Sequence, residues 1–243
     1  MDARSTIPKW TAGDWTVVRS SILFRGLSVE RIRRLTADAE TCLVPGGHVF
    51  YRTGDRVDAL RLVLSGGVLL ERDGAGGEAA CFDVCEAGRT FGDFAALLDR
   101  PSSNWARAAG VVRIMILPVE PFRRFLVEDS ELAIAIIASA VAHARATADQ
   151  LVRIKSLTSV CRIGDLLLRL SHERGGSLRF SLPYEKAVLA HMIGMRPESF
   201  SRGLSQLASA GVAFEGDVVL LTSLQRLRLF VTGCSGSPPS EAT

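Results

Sequence analysis

LPYEKAVLAHMIGMRPESFSRGLSQLASAGV, residues Leu182 to Val212, decides how the rest of the chain is read. Val188, Leu189 and Met192 give a first helix its apolar spacing, and Phe200, Leu204 and Leu207 give a second. Between them Gly194 breaks the pattern and can adopt the positive φ of a tight turn. Pro197 restarts the helix at a position where its missing N–H would be unbonded anyway. Small Ala190 lies where the two helices must cross closely. The pattern fits a helix-turn-helix, whose second helix enters the DNA major groove. On this stretch alone an ordinary helical hairpin fits as well.

The flanks bear on that choice. Downstream, Val212–Phe214 and Val218–Leu221 bracket Gly216-Asp217 and read as a two-stranded wing. Upstream, a helix over Ser159–Arg174 passes through a Gly175-Gly176 turn into a strand over Leu178–Leu182. Before that, Ser130–Ser156 contains neither Gly nor Pro. Its Ile134, Ile137, Val141, Ala144, Ala148 and Leu151 follow the 3-4 spacing of a coiled-coil seam. That seam suits a dimer, or a helix packed on its own domain. A short helix is expected over Pro121–Val127, and the Ser-, Gly- and Pro-bearing tail Gly233–Thr243 is expected to be disordered.

From Cys42 to Pro118 the period shortens. Apolar segments alternate with turn signals at Gly46-Gly47, Gly66-Gly67 and Asp73-Gly74, which predicts an antiparallel barrel or roll. Thr90–Leu98 interrupts it with a short helix, and residues 14–40 read as two helical pieces, the second capped by Ser28. The fold class is therefore α+β. The expected domains are a β-roll over 1–128, a dimerisation helix over 129–157, a winged helix-turn-helix over 158–234 and a tail over 235–243.

The 243 residues are 47% hydrophobic and 23% charged, values of a folded chain. Net charge is only +3, and the excess lies in the C-terminal half: residues 1–129 carry 17 basic and 17 acidic side chains, residues 159–243 carry 9 and 7. That distribution agrees with DNA binding at the C-terminal end. No apolar leader opens the sequence, and the longest apolar run, Leu132–Ala144, is too short to cross a bilayer, so a cytoplasmic protein without a membrane partner is expected. Five cysteines, an odd number, suit reduced thiols. No nucleophile–base pair, metal-ligand cluster or phosphate loop suggests an enzyme.

A β-roll, a long helix and a winged helix-turn-helix in this order resemble the Crp/Fnr family of bacterial transcription regulators, over roughly residues 20–232. Phe91-Gly92-Asp93 with Trp105-Ala-Arg107-Ala is similar to the family's effector-binding roll. Glu198-Ser-Phe-Ser201-Arg202 is similar to the Glu-x-x-Ser-Arg recognition motif of the Fnr-like branch. The resemblance implies a homodimer on double-stranded DNA carrying a TTGAT-type palindrome, with RNA polymerase as a further partner. Apart from the resemblance, Glu198, Ser201 and Arg202 share one helix face. Arg can pair bidentately with guanine, Glu accepts from cytosine N4 and Ser can do either. Glu198 and Arg202 could equally form a surface ion pair. Arg196 and Ser199 are expected to contact phosphate or base edges. Arg196 also stands where relatives place a capping Ser or Thr.

For the effector, the resemblance points to Phe91, Gly92, Asp93, Ser102, Ser103 and Thr147. Ser102-Ser103 replaces the Arg-Ser pair that clamps a cyclic phosphate in relatives, and Asp93 replaces Glu, which argues against cyclic AMP, although Arg100 or Arg107 could supply the missing guanidinium. No cysteine precedes Cys42, which argues against an iron–sulfur cluster. Haem is a candidate cofactor, with His143 or His48 as axial ligand. Cys81 and Cys85, in a C-x₃-C spacing, face one side of a regular strand and are read as buried small hydrophobes, or else as a redox pair.

Overall fold

The computed structural model describes residues 5–6, 11–73, 79–128 and 130–233. The chain divides into two units, residues 1–145 and 146–243.

The first unit opens with β1 (Ser5–Thr6), α1 (Ala12–Ser20), α2 (Val29–Leu35), β2 (Glu40–Val44) and β3 (Val49–Tyr51). It continues with β4 (Ala59–Ser65), β5 (Gly67–Asp73), β6 (Ala79–Glu86), β7 (Thr90–Phe91), α3 (Asp93–Leu97), β8 (Trp105–Ala108) and β9 (Val112–Pro118). Next come α4 (Val119–Glu128) and α5 (Ser130–Ser156), which runs on into the second unit. The strands form two antiparallel sheets, ordered β1-β2-β9-β4-β7 and β3-β8-β5-β6. Both contribute to one core, from Leu60, Leu62 and Ile114 of the first to Val68, Leu70 and Ala106 of the second. Leu132 of α5 is buried in the same cluster.

α1 departs from the expectation of a helical piece reaching Leu27. It stops at Ser20, and the Ser21 hydroxyl turns back to donate to Val18 O at 2.7 Å. Its start is fixed more tightly than the sequence reading anticipates. Thr11 Oγ1 accepts from Asp14 N at 3.1 Å and Thr11 N donates to Asp14 Oδ2 at 2.8 Å, a complete capping box. The same carboxylate takes two bonds from Arg113 of β9, at 2.9 and 2.8 Å, and both side chains are buried. Burial alone would raise the Asp14 pKa, but the Arg113 and Thr11 hydrogen bonds hold it below the usual carboxylate value. Ser28 caps α2 as expected, accepting from Arg31 N at 3.3 Å.

The second unit, besides the end of α5, contains α6 (Ser159–Glu173), β10 (Arg179–Ser181), α7 (Lys186–Met192) and α8 (Pro197–Gln206). A 3₁₀ turn (Leu207–Ala210), β11 (Val212–Glu215), β12 (Val218–Leu221) and α9 (Leu224–Gly233) complete it. The strands pair antiparallel in the order β10-β12-β11. Phe200, Leu189, Leu207, Val219 and Leu227 are fully buried together; truncating a phenylalanine so placed costs about 3–5 kcal/mol. Glycines permit the closest helix crossings. A Cβ on Gly203 would lie 2.4 Å from Ile163 Cδ1, and one on Gly164 would lie 2.7 Å from Val231 Cγ2. The fold class is that expected, an antiparallel roll, a long helix and a winged helix-turn-helix. α9 goes beyond the elements expected, and residues 234–243 lie outside the described residues.

Candidate nucleic-acid interface

α8 is polarised by its sequence. Phe200, Gly203 and Leu204 turn into the core, whereas Arg196, Glu198, Ser201 and Arg202 are exposed and Ser199 is half-buried. The five residues expected to meet DNA thus sit on or beside one exposed helix end. Glu198 and Arg202 form no ion pair among the described residues, so the two groups are not spent on each other. Arg196 occupies the N-cap without a side-chain cap bond, as its chemistry suggests. The first N–H groups of α8 therefore lack a capping side-chain acceptor, and a helix start in that condition attracts anions. The wing lies immediately after, its β11 and β12 in register from Val212↔Leu221 to Glu215↔Val218. Arg179 of β10 pairs with Glu215 at 3.3 Å across that sheet.

On α5 the apolar seam is exposed in the single chain: Ile134 is 64% exposed, Ile137 62%, Val141 45% and Leu151 51%. Ala144 and Ala148 are exposed with them. At 27 residues the helix is also long and apolar enough, by length and composition, to cross a membrane, more than the Leu132–Ala144 run alone suggests.

The residues expected at the effector site are differently placed. Phe91 is buried, edge-on to Phe50 at 5.0 Å. Gly92 has φ +74°, and a Cβ there would lie 3.1 Å from Val57 Cγ1 and 3.3 Å from Tyr51 Cε1. Asp93 begins α3, its side chain lying outside the described residues. Ser102 is buried, and its hydroxyl donates to Asn104 O at 2.8 Å. Ser103 is exposed, and Thr147 is exposed on α5 in the second unit. Arg107 is already paired. Its guanidinium meets Glu71 at 2.9 and 2.5 Å. The pairings Leu69↔Arg107 and Glu71↔Trp105 put this ion pair on the face of β5 opposite core residues Val68 and Leu70.

Cys81 and Cys85 do not share a face. The register passes from Leu70↔Asp83 to Glu71↔Cys81, leaving Phe82 as an extra, bulged residue. The bulge reverses the alternation: Cys85 opposite Val68 joins the core cluster, while Cys81 lies beside Glu71. Both thiols are buried, and each donates to a carbonyl at 3.3 Å, Cys81 to Asp83 and Cys85 to Thr90. Burial, with Glu71 adding to it, pushes the Cys81 thiol up to about 12, so the nucleophilic thiolate is suppressed. Cys42, Cys81 and Cys85 are thiols outside any disulfide, as expected; Cys161 departs from that expectation, being disulfide-bonded. His48 is exposed and edge-on to Phe50 at 4.9 Å, and the side chain of His143 lies outside the described residues. Among the described residues no three His, Cys, Asp or Glu side chains group as a metal site.

The architecture is that of a regulator with a ligand-binding roll and a DNA-binding winged helix. Residues 42–129 match the cyclic nucleotide-binding domain, and residues 161–230 match the Crp-like helix-turn-helix domain. The chain is 29% identical over 196 residues to the cyclic AMP receptor protein of Thermus thermophilus, covering 80% of this chain and 89% of that one. It is 22% identical over 210 residues to a CRP-like cAMP-activated global transcriptional regulator of Mycobacterium tuberculosis, covering 84% and 94%. A solved structure of a regulatory protein from Silicibacter pomeroyi DSS-3 superposes with a TM-score of 0.67 at 28% identity, covering 91% of this chain and 99% of that one. The chain thus combines a cyclic nucleotide-binding domain with a Crp-like helix-turn-helix domain, and over most of its length it is similar to transcription regulators of the Crp type.

Proposed function

We infer that this protein is a homodimeric, sequence-specific transcription regulator that reads a TTGAT-type palindrome through Glu198, Ser201 and Arg202. The carrying observation is the exposed polar face of α8, whose Glu198 and Arg202 remain uncommitted while the opposite face is locked into the core. Arg202 supplies a bidentate donor pair for guanine, Glu198 an acceptor for cytosine N4, and Ser201 either. Arg196, Ser199 and the open N-terminus of α8 suit the backbone phosphates beside them.

The exposed seam of α5 supports a parallel helix pair as dimer interface, since four large apolar side chains in one stripe are poorly placed in water. The same stripe would suit lipid, and the two cases separate experimentally. Val141→Arg should convert a dimer to a monomer in sedimentation, whereas a membrane helix would carry the wild-type protein into the lipid fraction. A dimer places two α8 helices on half-sites about one helical turn apart. A signal at the roll would shift the population between two dimer states. The regulator would work in the cytoplasm beside RNA polymerase, without an enzymatic step.

The effector differs from that of the relatives named for cyclic AMP. Ser102 and Ser103 offer no guanidinium, and Arg107 is committed to Glu71. Calorimetry should show no cyclic AMP binding at concentrations that saturate relatives. Haem is a candidate from the sequence: His48 is exposed and packs on Phe50, and no three His, Cys, Asp or Glu side chains gather as a metal site among the described residues.

The deciding experiment is a mobility shift on a TTGAT palindrome with wild-type protein and Arg202→Ala. Equal binding by the two would sink the reading and favour a small-molecule module whose winged helix serves protein contacts.

A further inference from the structure

The turn before α8 is gripped from two sides within the second unit. Arg162, in the first turn of α6, sends Nη1 to Ile193 O at 2.6 Å and to Gly194 O at 3.0 Å. Its Nη2 donates to Ser159 Oγ at 3.3 Å. The two carbonyls belong to the C-terminal end of α7 and the turn itself, where helix carbonyls lack N–H partners and a cation is favoured. On the other side, Gly194 has φ +64°. A Cβ there would lie 2.9 Å from Ile154 Cδ1 and 3.4 Å from Arg162 Nη1. Ile154 belongs to the last turn of α5.

The neighbouring residue extends the grip. Ile163 fills the space left by Gly203 in the middle of α8. Consecutive residues of α6 therefore hold the start and the body of the recognition helix. The guanidinium is not there for an acid. Asp165 lies in the same cleft but is 3.3 Å from Arg169, and Arg162 Nε is buried without a partner. Burial lowers the Arg162 pKa below the ordinary arginine value, with no carboxylate to restore it. What holds the side chain in place is the carbonyl end of α7, with the Ser159 hydroxyl on its other nitrogen.

We propose that Arg162 and Ile154 are positioning residues for DNA reading: Arg162 closes the carbonyl end of α7, Ile154 props the Gly194 turn, and together they make the last turn of α5 set the angle of α8. The proposal rests on α8 being the helix that meets DNA. It adds that α5 acts on α8 by direct contact at the turn, not only by moving the unit as a whole.

The test uses the full-length protein with Arg162→Gln, Arg162→Lys and Ile154→Ala. Binding is measured on a TTGAT palindrome and on a shuffled duplex, and amide hydrogen exchange is followed over Ile193–Phe200. Losing the charged hydrogen bonds of Arg162 should reduce the preference for the palindrome by about tenfold in Arg162→Gln. Affinity for the shuffled duplex, governed by unaltered phosphate contacts, should stay within about twofold. Exchange at Met195, whose N–H bonds Ala190 O, should accelerate with its neighbours, while the β10–β12 amides keep their protection. Lysine, reaching one carbonyl, should restore part of both effects, and Ile154→Ala should move both the same way by less. Unchanged exchange over Ile193–Phe200 in Arg162→Gln overturns the proposal. A wild-type protein with no palindrome preference would instead remove the DNA reading, leaving the exchange arm to decide the grip. Should the glutamine variant not fold, the same readouts on the lysine variant decide it, wild-type exchange there being the overturning result.

Discussion

The two ends of this regulator treat their polar groups in opposite ways. At α8, Arg196, Glu198, Ser201 and Arg202 are exposed on a helix whose other face is immobilised in the core. In the roll, Ser102 answers Asn104, Arg107 answers Glu71, Arg89 answers Asp83, and Arg113 answers Asp14. On the proposed reading, groups that meet DNA are left exposed, and groups that hold the fold satisfy one another. Side-chain chemistry alone does not distinguish these uses, since arginine–carboxylate sets occur at both ends. Commitment to a partner does.

The sharpest break of this contrast is Asp14→Ala. It leaves Arg113 buried without its carboxylate, and removing one member of such a pair costs about 3–5 kcal/mol. Trp15 and Trp105 lie in the first unit and no tryptophan follows Trp105 in the sequence, so tryptophan fluorescence in a urea titration reports that loss directly. At the reading end an arginine deletion should leave stability alone and act on DNA. Arg202→Ala should flatten discrimination at one base pair by about 1–3 kcal/mol. Arg196→Ala should weaken all sequences alike and lower the salt slope by about one. Competition binding over single-base variants of the half-site separates the two. Gly194→Ala comes next, with a cost of about 1–2 kcal/mol for a side chain at φ +64°, seen as an earlier thermal transition of the second unit. The smallest effect is in pH. Because the folded Asp14 pKa is depressed, its contribution is complete above the unfolded value near 4 and is lost as pH falls through the lower, folded value. Asp14→Asn should therefore be less stable at neutral pH but show a flatter acid limb below about pH 4, followed by the same fluorescence.

Local signals in the sequence carry much of this structure. Gly194 and Pro197 announce the turn and the second helix, Gly216-Asp217 announces the wing, and the absence of Gly and Pro locates α5 from Ser130 to Ser156. What escapes is set at a distance or by one extra residue. Arg113 finds Asp14 across 99 positions, and Arg162 finds Ile193 across 31, separations at which no periodicity operates. The Thr11-to-Asp14 spacing, by contrast, is a capping box legible in the sequence itself, one turn ahead of where the helical reading begins. The bulge at Phe82 defeats the alternation argument for Cys81 and Cys85, because a parity rule fails after one unpaired residue. α9 escapes for another reason. Leu224, Leu227 and Val231 have helical spacing, but the nearby Ser, Gly and Pro residues mask it with the composition of a tail.

That last helix bears on the order in which the molecule is made. Leu227 of α9 is fully buried with the helix-turn-helix, and Val231 fills the space that Gly164 leaves on α6. The DNA-binding core, begun at Cys161, thus lacks its final wall until residue 231 has been synthesised. The strands of the roll have all emerged more than a hundred residues earlier. Since domains fold as units as the ribosome delivers them, N-terminal first, a nascent chain acquires its sensing half before its reading half. A polypeptide cut short between α6 and α9 would carry a folded roll and an exposed apolar cleft in place of a DNA-binding domain, a target for the cell's proteases rather than a regulator freed from its signal.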